Sequence, residues 1–267
     1  MKLRKIHITI SSIGTIFIIC FWFYQNTIHK ELNNFIVDRI AHAGGGINGK
    51  KYTNSFEALS HNMTNGYKYF EIDFSFTKDG ELVCLHDWKN SFKRSFGFTT
   101  DEKLTLKEFE HLVKSNSEFN KCTIYSLSEW MKLNPSATII TDVKEDNIKA
   151  LKLVIATLPN ATTNVIPQIY NPNNFDTIKS LGFDQIIWTL YRYDGSNEQV
   201  LAWVQKFSAS FAVTMPKKRA KSTLPKELKN KNIPSYVHTI NQVSEAKKYM
   251  NKHGITEIYT DFLVPKR

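Results

Sequence analysis

The chain has 267 residues, 42% of them hydrophobic, and a formal net charge of +10. That apolar share supplies a large core and excludes a disordered chain, and the length beyond a short N-terminal segment suits one domain of barrel or other α/β size. The charge points to anionic partners such as phosphate esters, an acidic membrane surface or an anionic polymer. No nucleic acid is expected, because the lysines are dispersed and no nucleic-acid-binding motif is present.

The chain opens with Lys2, Arg4 and Lys5, followed by an uncharged run from Ile8 to Tyr24. The run sits at the short end of what spans a bilayer. The preceding cations predict a cytoplasmic N-terminus and an exported remainder, periplasmic or extracellular, with Trp22 and Tyr24 at the far interface. No small-x-small cleavage site follows, so a retained transmembrane anchor is expected over a cleaved signal peptide. Ile19 before Cys20 argues against lipoprotein processing. The organisation read from this pattern is a basic N-terminus (1–7), a membrane anchor (8–24), a polar linker (25–38) and one domain (39–267).

Within that domain apolar, β-rich runs alternate with helix-like stretches. The predicted strands are Arg39–Ala43, Tyr69–Phe76, Ala137–Val143, Asn164–Tyr170, Gln185–Tyr191, Phe211–Met215, Ser235–Asn241 and Glu257–Leu263, with a short extra strand at Glu81–Leu85. The predicted helices are Ser55–Met63, Leu106–Val113, Ser128–Leu133 (capped by Ser126 or Ser128), Asn147–Thr157, Asn174–Leu181, Glu198–Phe207 and Val243–His253. Gly182 and Gly254 read as C-terminal helix caps. Eight strands alternating with helices predict an α/β fold of the (β/α)8 TIM-barrel type, preceded by one transmembrane helix. A doubly wound sheet is the alternative, but no Gly-x-Gly-x-x-Gly fingerprint is present. The glycines Gly44–Gly46 lack a Walker lysine and read as a sharp backbone turn beside a site.

Polar residues gather at the predicted strand ends, where such barrels carry their chemistry. His42 ends the first strand, His86 ends the hairpin strand, and Asp142 and Lys144 close the Thr-Ile-Ile-Thr-Asp-Val-Lys segment. Glu71 and Asp73 stand two apart on an apolar strand, so they share a face. Two such carboxylates repel unless a cation lies between them, which points to a hard divalent metal. Asn54 and Glu57 read equally as a helix cap and its first-turn acid. Gln168 and His238 point to the mouth, neither as a catalytic group. Cys84 and Cys122 are able to pair in an oxidising compartment, but the preferred reading packs Cys84 as a small apolar side chain.

In order, these motifs read His42-Ala-Gly, Thr53-Asn54-Ser55, Glu71-Ile-Asp73, Asp79-Gly80 through Val83 to His86-Asp87, Ser126-Leu-Ser-Glu129 and Asp142-Val-Lys144. Pro167-Gln168-Ile-Tyr170, His238-Thr-Ile-Asn241 and Ile258-Tyr-Thr-Asp261 close the set. The ordered series resembles the glycerophosphodiester phosphodiesterase family from Arg39 to Leu263. The resemblance implies a metal-dependent phosphodiester hydrolase, with Glu71, Asp73 and Asp142 on one Ca2+ or Mg2+ ion. It implies His42 and His86 as acid and base, in either order, with a cyclic phosphate intermediate. Lys144, Asn54 and Gln168 would bind substrate: a glycerophosphodiester, a lysophospholipid or a glycerol-phosphate polymer. Two departures stand out. The family's arginine after the first histidine is Ala43 here, and its usual glutamate is Asp142. The alternatives are a cyclising phospholipase D-like phosphotransferase and an inactive anchored protein that binds a phosphorylated ligand.

Overall fold

A computed structural model describes residues 33–265, residue 117 excepted. The anchor expected at 8–24 lies outside the described residues. Among those described, no helix is long and apolar enough to cross a membrane.

Eight parallel strands close into a barrel: β1 (Ile40–Ala41), β2 (Tyr69–Phe76), β4 (Thr138–Val143), β5 (Val165–Ile169), β6 (Gln185–Thr189), β7 (Ser210–Pro216), β8 (Ser235–His238) and β9 (Glu257–Thr260), with β1 bonded to both β2 and β9. The short β3 (Leu82–Val83) pairs antiparallel with the end of β2. The (β/α)8 expectation holds, strand by strand, with most ends trimmed.

Alternation along each strand separates two cores. On β2, Phe70, Ile72, Phe74 and Phe76 face the surrounding helices, while Tyr69 joins the barrel interior. That interior is a ring with one side chain per strand: Ile40, Tyr69, Ile140, Ile166, Ile187, Ala212, Tyr236 and Tyr259, with Phe35 packed among them. Two residues further along, the same inward period puts a buried polar side chain on every strand: His42, Glu71, Asp142, Gln168, Thr189, Thr214, His238 and Asp261. The apolar layer is a dielectric floor, and the polar layer above it is the mouth.

The helices depart from expectation in instructive places. The helix expected at Ser128–Leu133 begins at Ile124, and its cap is Thr123, which forms a reciprocal capping box with Ser126. Helices at Asn90–Phe96, Ala161–Asn164 and Leu224–Asn230 were not foreseen. The first buries Phe92 and Phe96 against Trp88 and Phe109. The last carries Pro225 in its opening turn, where a missing N–H is harmless. The final helix is α-helical over Val243–Lys248, widens into a π turn over Tyr249–His253 and stops at left-handed Gly254.

Cys84 is bonded to Cys122, which corrects the reading of Cys84 as a free apolar side chain. A bridge between Val83 and Thr123 and the Cys84 N–H on the Cys122 carbonyl, at 2.8 Å, draw the two segments together. The bond ties the strand that leads to His86 onto the start of the 124–133 helix.

Candidate active site

The strand register assembles the carboxylates. Asp73 on β2 lies opposite Asp142 on β4, and Asp142 lies opposite Gln168 on β5. Glu71 sits one inward step below Asp73. One oxygen from each of Glu71, Asp73 and Asp142 lies within 4.8 Å of the others, and all three residues are buried.

Each carboxylate is held differently. Asn54 clamps Asp73: its amide Nδ2 donates to Oδ2 at 3.0 Å, and its Oδ1 accepts the Asp73 N–H at 3.0 Å. Asn54 is fully buried, so its amide serves Asp73; the cap of the Phe56–Thr64 helix is Ser55. Lys144 donates to Asp73 at 3.0 Å and to Asp142 at 2.6 Å, and the Tyr170 hydroxyl donates to Asp142 as well. Glu71 accepts only the Ala43 N–H, at 2.7 Å, and among the described residues it pairs with no cation. Ala43 reaches it by adopting a left-handed backbone, φ 51°. The turn it belongs to, His42–Gly44, is tight enough that a Cβ on Gly45 would strike the Asn62 amide.

Electrostatics follow from this. Burial pushes Asp73 upward, but the charges of Lys144, His86 and His42 prevail and hold its carboxyl well below the usual range. Burial and the Asp73 charge push Glu71 up. Burial works against the Lys144 ammonium, yet Asp73 and Asp142 hold it firmly charged. Lys144 bonds Asp73 and Asp142 but not Glu71, which has no ion-pair partner among the described residues and is offset only by the charge of His42 and the Ala43 N–H. The oxygen-only donor set and that orphaned carboxylate fit a hard divalent cation.

The two histidines flank the carboxylates with matched supports. His42 Nδ1 lies 2.8 Å from Asp261 Oδ1, and His86 Nδ1 lies 2.8 Å from Asp87 Oδ2. Asp261 is fixed in turn by Asn241, whose amide donates to Oδ2 at 2.6 Å and whose Oδ1 accepts the Asp261 N–H at 2.8 Å. Burial lowers the His42 pKa, but the hydrogen bond to Asp261 and the charges of Glu71, Asp261 and Asp73 outweigh it, raising it to about 9. His86 Nε2 stands 4.0 Å from Asp73. Neither Nε2 has a hydrogen-bond partner among the described residues, so each is free to meet a ligand.

Between them lies a cavity of about 300 Å³, lined by His42, His86, Asp73, Asp142, Lys144, Gln168 and His238 together with Tyr52, Tyr170, Tyr191 and Arg192. The sequence-predicted residues therefore converge, with Glu71 and Asn54 set behind the cavity lining, where each meets Asp73: Glu71 as its neighbour in the carboxylate cluster and Asn54 through its amide. Gln168 faces the cavity with its Oε1 accepting the Tyr259 hydroxyl at 3.1 Å. His238 is stacked on Tyr259, and burial keeps its imidazole neutral. Sequence reasoning did not assign roles to Asp261, Asp87, Tyr170 or Arg192. Two signals were available: Asp87 adjoins His86, and Asp261 lies two residues beyond an inward-facing tyrosine. Arg192, whose guanidinium sits 5.1 Å from the Tyr170 ring, puts a cation in the cavity of a chain that has Ala43 after its first histidine.

Known proteins resemble this chain in sequence over about half its length and in the barrel fold. The model of the glycerophosphoryl diester phosphodiesterase family matches residues 45–174. Lysophospholipase D GDPD1 of Mus musculus is 27% identical over 174 residues, covering 57% of this chain and 54% of that protein. The chain thus spans about half the length of the curated relatives it matches. Among solved structures, the glycerophosphodiester phosphodiesterase of Thermotoga maritima superposes with a TM-score of 0.67 at 20% identity, over 86% of this chain and 96% of that one. An Oleispira antarctica phosphodiesterase, solved with its product sn-glycerol-3-phosphate, gives a TM-score of 0.61 at 17% identity, over 88% and 95%. These structures share the barrel, and the family model spans the segments that carry Glu71, Asp73, His86, Asp142 and Lys144. Residues 45–174 thus match the glycerophosphoryl diester phosphodiesterase family, and the barrel as a whole is the fold of its solved members.

Proposed function

We propose that the chain is a metal-dependent phosphodiesterase that cleaves glycerophosphodiesters or a related glycerol-phosphate lipid or polymer. The observation that carries the reading is the pairing of two carboxylate-backed imidazoles, His42–Asp261 and His86–Asp87, on either side of three buried carboxylates. A Ca2+ or Mg2+ ion held by Glu71, Asp73 and Asp142 would neutralise charge on a non-bridging phosphate oxygen and acidify the neighbouring substrate hydroxyl.

The chain's own groups do the rest. One histidine takes the proton of the glycerol 2-hydroxyl through Nε2 as that oxygen attacks phosphorus. The other gives a proton to the departing alkoxide, which leaves as an alcohol. A five-membered cyclic phosphate results. Water opens it with the two proton roles reversed, yielding a glycerol phosphate. Asp261 and Asp87 fix the tautomer and aim of each ring. Lys144, and Arg192 at the cavity wall, place positive charge beside the phosphoryl oxygens. Gln168 supplies an amide for a substrate hydroxyl.

The same proposal places the domain outside the cytoplasm, tethered by residues 8–24. The uncharged run behind three cations supports the tether, and the Cys84–Cys122 bond supports an oxidising compartment.

The test is a panel of glycerophosphodiesters and lysophospholipids assayed with Ca2+, with Mg2+ and with chelator, the products read by phosphorus NMR. Metal-dependent release of a glycerol phosphate is expected, lost in His42→Ala. A cyclic phosphate that accumulates as the end product would assign the chain to cyclising phosphotransfer instead. Binding without turnover would leave only a ligand-holding role.

A further inference from the structure

A second cavity, of about 360 Å³, adjoins the catalytic one and is lined by Lys50, Lys51, Arg94 and Lys121 around Tyr52. Tyr52 belongs to both cavities and is the wall between them. Its ring meets His42 edge-on, with centroids 4.7 Å apart. The Arg94 guanidinium stands 5.1 Å from the same ring and the Lys51 ammonium 5.7 Å. Tyr52 holds this place with φ at 61°, a left-handed backbone that strains an aromatic residue.

The cations of this cavity are poorly matched. Lys50 pairs with Glu118, but among the described residues Lys51, Arg94 and Lys121 pair with no carboxylate. Lys121 is the telling one. It is only 5% exposed, and the Thr53 carbonyl is the sole hydrogen-bond partner of its ammonium among the described residues. Burial and the neighbouring Arg94 charge push it down to about 8. An ordinary solvated basic face would not bury a lysine with two donors idle. A buried, half-satisfied ammonium is costly, and an incoming anion offsets that cost.

We propose that this cavity is a second anion subsite. It takes a phosphate or carboxylate of the substrate that lies beyond the scissile diester, on the far side of Tyr52. The inference rests on the phosphodiesterase reading and narrows its substrate class to diesters that carry two anionic groups about one aromatic ring apart. The second anion has two chemical sources: the next phosphate of a glycerol-phosphate chain, or an acidic group on a lysophospholipid head. The volume has room for such a group and its carbon arm.

Binding tests the subsite separately from turnover. Glycerol 1,3-bisphosphate and glycerol 3-phosphate contain no diester to cleave, and both are titrated calorimetrically into the full-length protein with Mg2+ present. The bisphosphate is expected to bind about tenfold or more tightly than the monophosphate. Arg94→Gln and Lys51→Gln should erase that advantage and leave monophosphate affinity intact, which also reports that the variants are folded. Equal affinity for the two probes in the native protein, or an advantage that survives both substitutions, overturns the proposal.

Kinetics separate the sources. A glycerol-phosphate oligomer is compared with glycerophosphoglycerol, and lysophosphatidylserine with lysophosphatidylcholine. An Arg94→Gln loss confined to the oligomer assigns the subsite to a polymer, and one confined to the serine lipid assigns it to a head group. Unchanged kcat/KM on both acidic substrates overturns the subsite as a substrate site. If no diester is turned over by the native protein, the phosphodiesterase reading fails, and the bisphosphate preference alone decides whether the anion subsite stands.

Discussion

Asp261→Asn is the perturbation that most cleanly separates a working histidine from a merely buried one. Asp261 is 1% exposed, and its Oδ1 lies 2.8 Å from His42 Nδ1. The asparagine keeps the shape and the oxygen that accepts from Asn241, while removing the charge that supports an imidazolium. A hydrogen bond to a charged group is worth about 1.5–3 kcal/mol net, and proton transfer by a positioned side chain contributes roughly 10²–10⁴-fold. The expected result is a fall in kcat of about 10²-fold or more, with KM little changed. The His42 pKa should drop from about 9 back toward 6.5, because the hydrogen bond to Asp261 and its charge are gone and only the charges of Glu71 and Asp73 still raise it. Steady-state assays on a glycerophosphodiester and an NMR titration of the imidazole protons read the two quantities. Asp87→Asn serves as the partner control, since it alters the support of His86 and leaves the His42 titration in place. An unchanged kcat in Asp261→Asn, alongside an unmoved His42 titration, refutes the reasoning.

Three further outcomes follow from the same geometry. In chelator, Glu71→Gln should raise the thermal midpoint while abolishing activity, because it removes a buried charge that burial and Asp73 disfavour and that has no ion-pair partner among the described residues. The sign follows from linkage: a carboxyl raised in the folded state favours folding at acid pH, and that contribution is lost as pH rises to neutral and beyond. The metal-free native protein should therefore lose stability relative to Glu71→Gln over that interval, as followed by thermal melts across pH. Asp73→Asn should do the opposite in the same melts, costing about 1.5–3 kcal/mol, because it removes the charge that Lys144 holds at 3.0 Å and leaves that ammonium with Asp142 alone. Reducing Cys84–Cys122, which closes a separation of 38 residues, should cost about 4 kcal/mol in denaturant titrations, with activity falling as the His86 segment loosens.

Much of this site was legible in the sequence because the barrel obeys a period of two. Glu71 and Asp73 on an aromatic strand, and Asp142 near the end of another, could be placed facing inward from alternation alone. The register then set Asp73 beside Asp142. Position along the chain did not reveal how Asn54 is used. Its left-handed backbone, φ 46°, turns the amide back onto Asp73 rather than out toward a substrate. Asp261 was hidden for a related reason: it meets His42 only where the last strand closes against the first, a contact made by barrel closure. The disulfide escaped because two cysteines carry no spacing signal until a hairpin and a helix start are brought side by side. The cavity beyond Tyr52 draws its cations from three separated segments, and only the fold collects them.

The central claim is that three carboxylates share one divalent cation, and calorimetric titration of chelator-treated protein with Ca2+ and with Mg2+ measures it directly. The account predicts saturable uptake of one ion per chain in the native protein, lost in Glu71→Gln and in Asp142→Asn. No uptake at millimolar metal, or the same uptake in both variants, would contradict it.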